Sequence, residues 1–186
     1  RRRGTVFDPD EPLVAEPVEW ADCVFAGPGS PTYMIRQLAG TRTWQRLVER
    51  WQSGLRLAFA SAAALAVSRF ALPVYEIYKA GADLHWVDGL DLLGALGFTL
   101  AIVPHWNNRE GGEELDTSRC FMGQERFTQL VRLLPPETTI LGIDEHTACL
   151  LDFAEGVGRV LGTGTVTIAA QEQTRSFRHG ERFPLA

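Results

Sequence analysis

The chain has 186 residues, enough for one domain with a substantial core, and carries 45% apolar residues, 22% charged residues and a net charge of −5. No apolar run reaches the ~20 residues that span a bilayer, and there is no signal-peptide pattern. The opening Arg1-Arg2-Arg3 reads as solvated surface, and nothing else in this acidic chain supports nucleic-acid binding.

Residues 1–20 are polar and proline-rich (Pro9, Pro12, Pro17) and read as an irregular lead-in. Cys23–Ala26 reads as a short buried strand, ended by the turn-dense Gly27-Pro28-Gly29-Ser30-Pro31. Over residues 32–52, apolar positions recur at helical spacing and break at Gly40, which predicts two helices on one face of a sheet. Residues 55–60 form the next predicted strand and residues 62–70 the next helix. Residues 73–86, with Val74, Tyr75, Ile77 and Tyr78, read as extended or hairpin structure.

Residues 98–103 are a buried strand stopped by Pro104. Residues 105–119 make a polar loop, long enough in a compact domain to be functional or mobile. A helix over residues 124–134 is closed by Pro135-Pro136, and a strand follows at Thr139–Ile143. Thr147–Asp152 extends apolar structure, and residues 157–168 form two short strands about Gly162-Thr163-Gly164. Strands alternating with helices predict one domain over residues 1–186, a three-layer α/β/α sandwich with a mostly parallel sheet.

Three cysteines, Cys23, Cys120 and Cys149, are odd in number and widely spaced, with neither a disulfide framework nor metal-ligand spacing. They are expected in the core, in a reducing, cytoplasmic setting. His146 and His179 have no ligand partners in the pattern, so neither a metal nor a cofactor is expected.

In an open α/β sheet, ligands gather at the carboxyl ends of the strands. Here those ends carry Gly27-Pro28-Gly29, Ser61, His105 and Glu145. A serine, a histidine and a carboxylate are the parts of a nucleophilic triad, in which the histidine takes the serine proton and the carboxylate fixes the ring tautomer. The amide of Ala62, paired with Gly27 or Gly29, is placed to receive an oxyanion; Pro28 has no N–H to offer. The order serine, histidine, acid differs from that of an α/β-hydrolase.

These segments resemble the serine peptidases that include aspartyl dipeptidase (peptidase E) and cyanophycinase. The resemblance covers roughly residues 23–170, by pattern order. Phe25-Ala26-Gly27-Pro28-Gly29-Ser30 is similar to that family's glycine-rich turn, and Ala60-Ser61-Ala62-Ala63-Ala64 to its serine elbow. Pro104-His105-Trp106-Asn107-Asn108 is similar to its Pro-His-aromatic-x-Asn, the most specific match, and Leu141-Gly142-Ile143-Asp144-Glu145 to the strand supplying the acid.

The resemblance implies a class I glutamine amidotransferase-like (flavodoxin-like) fold. It also implies Ser61 as nucleophile, His105 as base and Glu145 as orienting acid. Family members cleave beside aspartate, which implies a small acidic peptide or amide as substrate and a cation to receive it. Arg126 is the first choice for that cation, before Arg109 and Arg119, with Asn107 and Asn108 beside it.

Two departures stand out. Phe59 and Ala63 occupy the elbow's glycine positions, and the family's first strand and helix are not found in residues 1–22. With no initiator methionine, the chain is expected to be an excerpt of a longer protein. The competing reading is a catalytically degenerate binding or regulatory module. The insertion Tyr75-Glu76-Ile77-Tyr78-Lys79 with His85-Trp86 is expected as a substrate flap or a homodimer contact.

Overall fold

The computed structural model describes residues 4–170 and 173–185, so the Arg1-Arg2-Arg3 cluster lies outside the described residues. Helix α1 (Pro12–Trp20) stands where an irregular lead-in was expected. Pro12 sits in the first turn, where its missing N–H costs nothing. Pro17 is tolerated because Ala15 and Val18 are buried and Glu19 takes the Arg46 guanidinium at 2.6 and 2.7 Å. Tertiary contacts here override local propensity.

Strand β1 (Cys23–Ala26) is connected through α2 (Pro31–Leu38) and α3 (Arg42–Gln52) to the parallel strand β2 (Arg56–Phe59). Each helix starts on a hydroxyl cap: Ser30 accepts the Tyr33 N–H and Thr41 that of Trp44. β1 forms as predicted but is not buried as predicted. Cys23 and Phe25 face solvent, Phe25 with 67% of its surface exposed, while Val24 packs on the core.

Helix α4 (Ala62–Ala66) is buried along its whole length. It stops short of residue 70 because the chain turns into β3 (Phe70–Ala71), the antiparallel partner of β4 (Val87–Asp88). Between them α5 (Val74–Tyr78) is a short helix, where extended structure was expected. Its β-favouring residues adopt a helical turn because Val74 and Ile77, three apart, then share one buried face.

Strands β5 (Leu100–Val103) and β6 (Thr139–Ile143) are parallel, with Val103 opposite Gly142, and are joined through α6 (Gly123–Val131). Both faces are covered. Ala101, Val103 and Ile140 pack with Phe127 and Leu130 of α6; Ile102 and Leu141 pack with Trp44 and Leu47 of α3. Double burial is why this stretch reads as a continuous apolar run. Trp86 donates its indole N–H to the Leu130 carbonyl at 2.9 Å and packs on Phe127, so the expected flap lies against α6.

Ser68 ties the β2 half to β5. Its hydroxyl, in a residue 1% exposed, accepts the Ile102 N–H at 2.9 Å, and the next residue, Arg69, donates its N–H to the Leu100 carbonyl. Among the described residues, parallel pairing is confined to β1–β2 and β5–β6. The rest is antiparallel: β7 (Thr147–Asp152), β8 (Val157–Gly162) and β11 (Arg182–Pro184) form one sheet, while β9 (Thr165–Ala170) and β10 (Gln173–Arg178) extend β6. The architecture is a mixed, flavodoxin-like α/β fold.

Candidate active site

The corner between β2 and α4 is made by Ser61, at φ 55° and ψ −119°. A side chain rarely adopts that conformation, and residues held in it cluster at working sites. The Ser61 hydroxyl caps nothing in α4; it lies 2.9 Å from His105 Nε2. Ala63, where an elbow glycine was expected, is 1% exposed, and the corner closes over its methyl.

His105 follows β5 and Pro104, itself at φ 53°. Its Nδ1 lies 3.0 Å from Glu145 Oε1, and the Asn108 amide donates to the same oxygen at 2.8 Å. Asn107 accepts the Glu145 backbone N–H through Oδ1 at 2.8 Å. The Asn108 N–H first, and the His105 contact second, hold the Glu145 carboxyl below the ordinary carboxylate range. An ionised acceptor at Nδ1 keeps the proton on that nitrogen and leaves Nε2 free to act as a base toward Ser61.

Asn108 is 1% exposed, and its own Oδ1 accepts the Glu110 N–H at 3.1 Å. Asn108 was expected beside substrate; here it is buried, with its amide on Glu145. Asn107 gives its carbonyl to the same residue and keeps its NH2 at the surface.

The Arg126 guanidinium is likewise engaged within the fold. Its Nε–H and Nη2–H go to the carbonyls of Met122 and Phe121 at 2.6 and 2.9 Å. Arg119 is differently placed. Its guanidinium lies 3.9 Å from the centroid of the Trp106 ring and donates one N–H to the Trp106 carbonyl. It makes no ion pair among the described residues; burial lowers its pKa, with Asp116 and Asp144 opposing. Trp106 in turn lies on β6 so closely that a Cβ on Gly142 would fall 2.4 Å from the indole.

Sequence reasoning missed the segment that holds this loop. Arg119, Cys120 and Phe121 have φ values of 57°, 57° and 69°, three consecutive left-handed residues without a glycine among them. Such a conformation costs on the order of 1–2 kcal/mol per residue. The Arg119 and Cys120 amides donate to the Trp106 and His105 carbonyls at 3.0 and 3.1 Å, and the Phe121 ring centroid lies 5.9 Å from that of His105.

At the end of β1, the Ala26 carbonyl accepts the Ala60 N–H at 2.9 Å, so the Gly27-Pro28-Gly29 turn and the Ser61 corner leave the sheet side by side. The amides of Gly29 and Ala62 make no hydrogen bond among the described residues. Burial pushes the Cys120 and Cys149 thiols up to about 12, whereas Cys23 is exposed, not in the core as expected. His179 accepts the Gly162 N–H at 3.2 Å. Among the described residues there is no cluster able to hold a metal ion, and no helix long and apolar enough to cross a membrane.

A profile of peptidase family S51 matches residues 5–155, most of the chain, with Ser61, His105 and Glu145 inside the match. The chain belongs to peptidase family S51. Strands β8 to β11 fall beyond the S51 match. Among solved structures, the chain is similar to a peptidase from an acI-B1 Actinobacterium, with a TM-score of 0.71 and 23% identity over 95% of this chain and 64% of that one. It is also similar to a peptidase E-like protein from Listeria monocytogenes EGD-e, with a TM-score of 0.50 and 16% identity over 89% of this chain and 64% of that one. At such identities the likeness is one of fold, and the chain spans less than two thirds of either structure. A search of curated proteins found no match.

Proposed function

We propose that this protein is a serine-dependent hydrolase of a small peptide or amide, with Ser61 as nucleophile, His105 as base and Glu145 as orienting acid. The observation that carries the reading is the continuous hydrogen-bonded relay, 2.9 Å from Ser61 to His105 and 3.0 Å from His105 to Glu145. The distances fall in the range that proton transfer requires, and Glu145 is ionised at neutral pH.

Ser61 Oγ attacks the substrate carbonyl carbon while its proton passes to His105 Nε2. The C–Oγ bond forms, and the carbonyl electrons move onto oxygen, toward the amide of Ala62 and that of Gly29 or Gly27. Collapse of this intermediate breaks the C–N bond, and His105 gives its proton to the leaving amine. Water then attacks the acyl-serine with His105 again as base, releasing the acid and restoring Ser61.

An acidic substrate fits the cation left over at the site. Arg119, on the loop that bears His105, has donors that no carboxylate of the described residues occupies, and a guanidinium pairs with a carboxylate bidentately. It takes the role first expected of Arg126.

Fluorophosphonate labelling tests the nucleophile. Wild type is expected to label at Ser61, with Ser61→Ala and His105→Ala both unlabelled while folded. A folded wild type that does not label overturns the hydrolase and favours the binding-module reading. Hydrolysis of aspartyl against alanyl dipeptides then tests the acidic preference.

A further inference from the structure

The left-handed conformation of Arg119–Phe121 takes no part in the bond-making steps above, although Arg119 is the proposed substrate cation, and no property of its own sequence calls for it. It persists because its surroundings hold it. From inside, Cys120 and Met122 are 2% and 1% exposed. At its base, Asp116 accepts the amide N–H groups of Ser118 and Gln124 at 2.9 and 2.7 Å, and these bonds lower its pKa, that from Gln124 first. From outside, the Arg126 fork spans the Phe121 and Met122 carbonyls. Tyr78 closes the arrangement, with its ring 5.4 Å from the Phe121 ring and 5.9 Å from the Arg126 guanidinium.

What this turn touches is the base. The Cys120 amide donates to the His105 carbonyl, the Phe121 ring stands beside the imidazole, and Arg119 is latched to the Trp106 carbonyl. His105 is itself at positive φ, so its backbone has no regular element of its own to lean on. We infer that Arg126 is a positioning residue: by clamping the left-handed turn it holds Phe121 and Cys120 against His105, and so sets the imidazole on the line between Ser61 and Glu145. The inference rests on the triad reading above. It assigns to α6 a task in the reaction without contact to substrate.

The test compares wild type, Arg126→Ala and Arg126→Lys by the rate of fluorophosphonate labelling, by the low-field proton resonance of His105 Nδ1–H, and by circular dichroism. A folded Arg126→Ala is expected to label about 10²-fold more slowly, the cost of a misplacement of about 1 Å. Its His105 resonance is expected to broaden or disappear. Millimolar guanidinium should restore part of the rate in Arg126→Ala and none in wild type, and lysine, with one donor direction, should recover less than guanidinium does.

Labelling at the wild-type rate with an unchanged resonance overturns the inference. If Arg126→Ala does not fold, Phe121→Leu removes the ring contact with the clamp intact; slower labelling is expected, and an unchanged rate overturns the inference. A wild type that never labels overturns the hydrolase reading instead, and the resonance of Arg126→Ala against wild type still decides whether Arg126 positions His105.

Discussion

Asn108 and His105 converge on one oxygen of Glu145, at 2.8 and 3.0 Å. The second donor makes the acid more than a partner for histidine, because it holds the carboxylate ionised and in place even when the imidazole moves. Glu145→Gln keeps the volume and loses the charge, so it should lower kcat by about 10³–10⁴-fold with little change in KM. Steady-state kinetics check this, and a loss under tenfold would remove Glu145 from the relay.

The same geometry fixes a pH effect. The folded pKa of Glu145 is depressed below 4.5, so the stabilisation it gives is present above the unfolded value and lost as pH falls through the folded one. Asn108→Ala removes the largest cause of that depression. Its acid-unfolding midpoint should therefore move to higher pH, while activity near neutrality falls far less. An acid-unfolding midpoint that coincides with wild type would show that Asn108 does not act on the carboxyl.

Ala63 sits inside a helix and is buried, so Ala63→Gly, although it restores the family's elbow residue, should destabilise. The helix penalty is roughly 1 kcal/mol, or about 2–4 °C in Tm for a chain of this size. Labelling of Ser61 should stay within about twofold, because the corner already holds its geometry with alanine present. Thermal melts and labelling rates separate the two effects.

Gly142→Ala drives a methyl into the Trp106 ring. Overpacking of this kind costs about 1–3 kcal/mol. Because Arg119 lies over that ring, KM for an acidic dipeptide should rise more than KM for a neutral one. Equal changes for both substrates would detach Arg119 from substrate recognition.

Thiol alkylation of the native protein at pH 8 should modify Cys23 alone. Cys120 and Cys149 keep their protons, with burial raising both to about 12. Peptide mapping by mass spectrometry reads this directly, and early labelling of Cys120 would mean that the turn beside His105 opens.

The strand ends that bear Ser61, His105 and Glu145 were legible because buried strands announce themselves as apolar runs and then stop. The helices α1 and α5 were not. Pro17 argued against the first, Val74 and Tyr75 against the second, and in both cases burial at spaced positions decided the outcome. The hydrogen-bond partners of Asn108 and Arg126 were not legible, for one reason. A polar residue near a catalytic histidine looks alike in sequence whether it faces substrate or ties down its neighbours. The turn at Arg119–Phe121 was illegible, since its conformation is imposed by hydrogen bonds to the His105 and Trp106 carbonyls and from the Arg126 guanidinium rather than by its own residues.

His105 bonds a serine 44 residues behind it and a glutamate 40 residues ahead. No local hairpin can bring those three groups together; the two parallel strand pairs must dock first, with Ser68 seated between them. Parallel pairing over such separations is a slow, late event in folding. In a refolding experiment, helix content should recover well before the capacity to react with a phosphonate. The lag between the two signals would then time the docking of β5 and β6 onto the half of the chain that carries the elbow.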